Sequence, residues 1–311
     1  MPSVSAHNIT TKRDIVKELQ FVGEGDSVSN AALFGVTPNS STFAVVGNNS
    51  EITISPDVQH MDVNVLGSED LIDSVKTQSL YSFSIKYNPI NTTLWKYIWN
   101  ASGGGAGTID ESLSFTYSYK LNGTEYFQHM RGCRPTSGTM SLSRGAWETT
   151  MNFVAKDITI PATSTGDGGT PSYQSSETTS SPIVHSDGGG TPFTWNSTTF
   201  GERSFSTTVS RNMAMMAVNG ETDVTYCKAV DRAITGTVDV FAGKDSDETT
   251  LYTDYEGKSK RTTSYKFTSS PSKTFTYANA VITNYGYTHA AGSTDALIES
   301  ITFRAESCTD L

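Results

Sequence analysis

Residues 91–101 read NTTLWKYIWNA, and residues 248–257 read ETTLYTDYEG. Each runs polar-Thr-Thr-Leu-aromatic, follows a strand-like stretch and ends among small residues. Leu94, Tyr97 and Ile98 recur at helical spacing in the first, and Leu251, Tyr252 and Tyr255 in the second. Side chains three and four apart share one helix face, so both read as short amphipathic helices. Asn91 or Thr92 can cap the first, and Ser246 or Asp247 the second. Helices of about ten residues are too short to stand alone in water, so each must pack on a sheet.

The sheet is visible as alternation. In LSFTYSYKL (113–121) the apolar and aromatic residues occupy every second position, and Ser114, Thr116, Ser118 and Lys120 lie between them. YSFSIKY (81–87) does the same. A period of two predicts half-buried strands. Around the echo the same order of elements occurs twice. The first half runs strand 81–87, helix 91–100, then strands 113–121, 125–133 and 150–158. The second runs strand 235–241, helix 246–255, then strands 262–268, 273–283 and 300–307.

Thr92-Thr93-Leu94-Trp95 matches Thr249-Thr250-Leu251-Tyr252 at an offset of 157, and residues 151–156 match 301–306 at an offset of 150. The drop is explained if the glycine-rich loop SGGGAGT (102–108) is shorter in the second copy. The chain therefore reads as a tandem duplication. The first domain is 1–160 with an N-terminal arm, and the second is 196–311. Residues 161–195, rich in Ser, Thr, Gly and Pro, are a linker.

The 311 residues carry a net charge of −10, spread as −4 over 1–160, −3 over 161–195 and −3 over 196–311. Gripping nucleic acid requires clustered Lys and Arg, which this balance disfavours. Five scattered histidines and three distant cysteines give no spacing for a metal or a nucleophile, and no cofactor motif is present. One Cys227–Cys308 bridge is conceivable, but free thiols fit better. The longest apolar run, 213–218, is far too short for a membrane span, and no leader-like segment opens the chain. The reading is a non-enzymatic chain without cofactor or metal, made in the cytoplasm.

With the repeat laid out, the chain resembles tail tube proteins of tailed viruses, of bacteria or archaea, in the form carrying two tube domains. The resemblance rests on AALFGVTPNSSTF (31–43) as an entry segment. It rests also on SLYSFSIKYNP (79–89), a short helix and the hairpin SFTYSYKLNGTEYF (114–127). ERSFSTTVSRNM (202–213) followed by RAITGTVDVFAGKD (232–245) looks like the opening of a second domain. The resemblance implies a mainly β fold of two tandem antiparallel β-sandwich or half-barrel domains, each with a short flanking α-helix. It implies homotrimeric, pseudo-hexameric rings stacked into a tube in the virion tail, through which the genome passes on ejection. Partners would be other copies and other tail proteins: terminator, baseplate, tape measure or sheath. DNA would be passing cargo, with no membrane partner. Six domains of four inner strands give ~24 strands, and at ~4.8 Å spacing and ~40° tilt a barrel roughly 48 Å across.

Two charge runs suggest contacts. Glu51, Asp57, Asp62, Glu69, Asp70 and Asp73 occur with no Lys or Arg between them. Lys258, Lys260, Arg261, Lys266 and Lys273 occur without an acid between them. Both can be solvated faces. The sharper hypothesis places the acidic run on a long excursion of the first domain, meeting the basic run of a neighbouring subunit or ring. Charge reversal at Lys260 and Arg261 then weakens assembly, and normal assembly of single-side reversals at low salt counts against the pairing. A rival assignment puts part of the acidic run in the lumen. Two other functions compete: a surface β-sandwich that binds carbohydrate, which needs exposed aromatics, and another capsid decoration protein.

Overall fold

The computed structural model describes residues 15–25, 33–38, 43–63, 73–99, 111–121, 123–143, 145–159, 180–188, 192–216, 224, 226–241, 245–269, 272–288 and 297–309. The first half comprises β1 (Ile15–Gly23), β2 (Ala44–Val45), β3 (Asn48–Val63), β4 (Asp73–Asn88), α1 (Lys96–Trp99), β5 (Leu113–Leu121), β6 (Thr124–Ser143), β7 (Ala146–Ala155) and β8 (Asp157–Ile158). The second comprises β9 (Phe193–Trp195), β10 (Thr198–Phe200), β11 (Glu202–Met216), β12 (Tyr226–Phe241), α2 (Asp245–Gly257), β13 (Arg261–Ser269), β14 (Ser272–Thr288), β15 (Ile298–Ala305) and β16 (Ser307–Thr309).

Pairing is antiparallel throughout. One layer holds eight strands in the order β3-β4-β7-β6-β11-β12-β15-β14. Two smaller layers lie in the orders β2-β1-β5-β6 and β10-β9-β13-β14, with β8 and β16 added on β6 and β14. The long strands β6 and β14 belong to both layers. Their first halves pair with β5 and β13, and their second halves turn into the eight-stranded layer beside β7 and β15.

The duplication is written in the registers. Gln59 pairs with Gln78 and His60 with Lys76; 153 positions later, Asn212 pairs with Asp231 and Met213 with Ala229, with the same one-residue slip between them. Arg134, Pro135 and Ser137 meet Val154, Phe153 and Asn152. Val281, Ile282 and Asn284 meet Arg304, Phe303 and Thr302, which are 147 and 150 positions later on the two strands. The residue skipped in each bulge is a threonine. Thr136 donates its hydroxyl to the Asn152 carbonyl at 3.2 Å, and Thr283 donates to the Thr302 carbonyl at 3.1 Å. β-bulges aim a strand in a new direction, and here the same device turns both long strands between layers. The offset falls from 153 at β4/β12 to 148 at β5/β13, so the helix-bearing connection is shorter in the second copy.

One aromatic core spans both halves. Phe83 stacks on Phe153 at 4.9 Å, and Phe205 on Tyr265 at 4.0 Å. Trp147 of the first half meets Phe205, Tyr265 and Phe267 of the second, and Trp95 and Trp99 meet Phe275. All four tryptophans are fully buried. Aromatic pairs at these separations add to the burial of their large apolar area.

Three details differ from the sequence reading or sharpen it. The helix expected over 91–100 is one turn, Lys96–Trp99, preceded by turns from Thr92. Its apolar residues are so well covered, with Ile98 and Trp99 fully buried, that packing rather than helical length holds it. The polar side of β5 is not half-exposed: Ser114, Thr116 and Ser118 are buried. Glu24 explains much of this. Its buried carboxylate accepts from the Ser112 and Ser114 hydroxyls and from the Gly35 and Gly132 amides, drawing residues 33–38 over the strand. Cys133, Cys227 and Cys308 are buried and form no disulfide with one another; burial, and then the nearby Glu24, push the Cys133 thiol up.

Candidate functional site: a hydroxyl-rich sheet face with two open edges

The eight-stranded layer has two unlike faces. One carries Ile85, Met151, Val209, Val238 and Ile301 into the core. The alternate residues face outward, and most are hydroxyls or amides. Ser82 and Ser84 lie on β4, Asn152 on β7 and Thr139 on β6; in the second half come Thr208 on β11, Thr235 and Thr237 on β12 and Thr302 on β15. Small β-branched hydroxyls suit a pleated surface and close a sheet without adding charge. Thr139 and Thr208 touch through their hydroxyls at 3.1 Å where the halves join.

The charges on this face are of both signs and mostly engaged. Lys86 reaches Glu148 at 3.1 Å. Asp239 accepts from Ser204 and Ser300, and Asp231 accepts from Asn212. A face of this kind offers a phosphate backbone little to grip.

The edges matter as much as the face. Among the described residues β3 pairs only with β4, and β14 beyond Ile282 pairs only with β15. Each edge exposes a row of backbone donors and acceptors, which is a template for another strand. Pro56 lies in β3, where an edge position tolerates its missing N–H. Tyr287, 70 % exposed, stands on the edge of β14.

The seam inside the chain shows how such edges close. β6 and β11 pair from Ser206–Ser141 to Ser210–Ser137. Behind the seam, the buried Arg211 of β11 donates to the Tyr97 and Ile98 carbonyls at 2.7 and 3.0 Å, and Arg232 of β12 donates to the Trp99 carbonyl at 3.2 Å. These are carbonyls at the C-terminal end of α1, where helix geometry leaves acceptors open and a cation is favourable. Trp99 closes over Gly138, where a Cβ would come within 2.7 Å of its ring.

The predicted charge runs fall in different places. Glu51 is exposed on the open-edge strand β3, opposite Lys86. Asp57 and Asp62 lie further along β3 and Asp73 opens β4, so these positions belong to one long hairpin; Glu69 and Asp70 are outside the described residues. In the basic run, Arg261 forks onto the buried Asp254 at 2.8–3.1 Å, and Trp195 donates to the same carboxylate at 3.0 Å. Burial alone would raise the Asp254 carboxyl, but these donors outweigh it and hold its pKa below the usual range. Lys260 pairs with Glu306 at 2.5 Å, and Lys258 lies over the Tyr255 ring. Lys266 and Lys273 are half-buried neighbours on β13 and β14. The structure thus engages Lys260 and Arg261 within the second half.

Sequence reasoning missed the hydroxyl face and the Arg211 clamp. The face had a signal, since Ser or Thr alternates with apolar residues in YSFSIKY and ITGTVDV. The clamp had none, because its two parts are more than a hundred residues apart.

The profile of the family described as phage tail tube protein matches residues 19–305. The chain belongs to the phage tail tube protein family. Membership makes this tube protein a structural component of the virion tail and a self-associating one, and its layers give the mainly β sandwich architecture expected from the sequence. Hcp1 from Flavobacterium johnsoniae is a solved structure similar to part of it, at 14 % identity and a TM-score of 0.25, covering 39 % of this chain and 98 % of Hcp1. No curated protein sequence matches it. Among the described residues no three His, Cys, Asp or Glu side chains cluster as metal ligands, and no helix is long and apolar enough to cross a membrane.

Proposed function

We propose that three copies of the chain close into a pseudo-hexameric ring, that rings stack into the tail tube, and that the tube conducts the genome on ejection. The observation that carries this is the eight-stranded layer. Its halves have one strand order, meet at one seam and leave open the two edges that correspond to the strands joined there. Three such layers supply ~24 strands, hence a barrel roughly 48 Å across between backbones. Turned inward, the hydroxyl face gives a bore of about 35–40 Å after side chains, wide enough for duplex DNA and poor in fixed cations. Negative-stain microscopy of purified protein tests the reading. Rings or tubes of uniform width with threefold averages are expected; a monodisperse monomer at every concentration and salt tried overturns it.

Each chain then supplies two tube domains. The first is 1–160, and the second opens at Phe193, because β9 pairs with β13 as β1 pairs with β5. The β3–β4 hairpin, with its acidic positions, reaches a neighbouring ring and meets Lys266 and Lys273 there. Lys266→Glu with Lys273→Glu should shorten tubes while leaving rings intact; unchanged tube length at low salt removes this contact. Assembly in the host cytoplasm and docking of terminator, baseplate, tape measure or sheath on the tube ends complete the proposal. The carbohydrate-binding alternative needs clustered exposed aromatics, and every tryptophan is buried, which favours the tube reading.

A further inference from the structure

Resting on that ring, we propose the register of the seam between chains: β14 of one copy pairs antiparallel with β3 of the next, Thr288 opposite Thr53, Gly286 opposite Ser55 and Asn284 opposite Asp57. The occupant of both open edges is thus a second copy of this chain.

Equivalence of the two repeats alone fixes this register. β3 maps onto β11 at an offset of 153, through pairs and slips that coincide along the strand. β6 maps onto β14 at an offset of 147, fixed by the shared threonine bulge. The outer-layer strands agree: Met130 pairs with Ile158 as Tyr277 pairs with Cys308. Inside the chain the seam is β6 on β11, with Ser206 on Ser141 and Thr208 on Thr139. Carrying each partner to its other copy turns these pairs into Thr53 on Thr288 and Ser55 on Gly286. The antiparallel sense is preserved, so the same operation that joins the two halves joins two chains.

The local chemistry agrees. Tyr287 is 70 % exposed, whereas Met140, its counterpart at the closed seam, is fully buried. Ile54 would lie opposite Tyr287 as Thr207 lies opposite Met140, on the core side of the sheet. Ser82 donates to the Ser55 carbonyl at 3.1 Å, as Thr235 donates to the Thr208 carbonyl at 3.4 Å, so the two receiving strands are held alike by their inner neighbours. A Cβ at Gly286 meets nothing within 4 Å, so the position is open to a partner. A one-residue slip would reverse which side chains face the bore, which ties register to function.

Paired cysteines test this. Ser55→Cys with Gly286→Cys takes the places of Thr208 and Thr139, whose hydroxyls touch, so a disulfide is sterically allowed. Under mild oxidation the assembled double variant should shift on a non-reducing gel to three times the 33.5 kDa chain mass. Thr53→Cys with Thr288→Cys, the next pair on the same face, should give the same shift and serves if the first variant fails to assemble. Ser55→Cys with Asn284→Cys, one pleat out of register, should remain monomeric on the gel. If the wild type forms rings but the out-of-register pair cross-links, or none does, the register is wrong while the tube reading stands. If the wild type forms no rings, the tube reading fails first and takes the seam with it.

Discussion

Replacing Arg211 with methionine should uncouple the two halves of the chain. The guanidinium is buried and holds two carbonyls of α1 at 2.7 and 3.0 Å across the seam. Hydrogen bonds to a charged group contribute about 1.5–3 kcal/mol each, and a buried acceptor left without its donor carries a desolvation penalty of similar size. Methionine fills much of the aliphatic volume, so packing loss is small. The expected loss is about 3–5 kcal/mol, or roughly 6 °C in Tm for a chain of this length. Urea unfolding followed by tryptophan fluorescence reads it directly, because Trp95 and Trp99 flank the clamp. The exposed Arg203→Met is the control and should change stability by less than about 0.5 kcal/mol. Arg211→Lys should recover less than half the loss, because an ammonium cannot present the planar fork. A loss under about 1 kcal/mol for Arg211→Met would refute the clamp.

Gly236→Ala should destabilise by about 1–3 kcal/mol, since its Cβ would lie 2.2 Å from the Phe303 ring; Phe303→Leu in the same chain should restore part, and additive losses in urea would count against the clash. Asp254→Asn should lose about 1–2 kcal/mol at neutral pH by removing the charged partner of the partly exposed Arg261 fork and weakening the Trp195 bond. Because the Asp254 pKa is depressed on folding, its contribution is present above the unfolded carboxylate pKa of 3.8 and is lost as pH falls toward the folded value. Thermal melts from pH 7 to pH 2 should therefore converge for wild type and variant at the acid end, and parallel curves would sink the assignment. Thr136→Val and Thr283→Val should each cost about 1 kcal/mol and match within about 0.5, because each removes the same bulge bond from its own copy. A large cost at one site only would mean that the bulges are not equivalent.

The duplication was legible because order survives divergence: five elements recur in sequence although few residues match. Alternation was legible wherever a strand has one dry face, as in 81–87 and 234–240. It misled at β5, because Ser114, Thr116 and Ser118 look solvent-facing until Glu24, a residue from another element, satisfies part of that row. β9 is three residues, FTW, at the end of a Ser/Thr/Gly-rich stretch, too short for any period to register. The basic run shows a different limit. Composition locates charge but not its partner, and Arg261 and Lys260 find theirs on α2 and just past β15. The open edges could not be read from residues at all, since an edge is defined by the strand that is not there.

The two kinds of seam in the proposed ring differ in strength, and the difference follows from one pair of substitutions between the copies. Arg211 and Arg232 face each other in register within the chain; their counterparts in the first copy are Val58 and Ser79, which also pair. The seam between chains therefore has no guanidinium clamp. It needs none to satisfy α2, because that helix closes its own end: the Ser259 and Lys258 amides donate to the Asp254 and Tyr255 carbonyls at 3.1 and 3.3 Å, with Lys258 at φ +50°. An in-chain seam gains from high effective concentration and keeps the clamp as well, whereas the between-chain seam has strand pairing and Tyr287 alone. Rings should accordingly part at three seams and never at six. Stepwise urea with native mass spectrometry and tryptophan fluorescence should show intact folded chains released before any loss of the core signal. Simultaneous ring loss and core unfolding, across a range of protein concentrations, would show that the seams are equally strong and that the clamp does not set the order of disassembly.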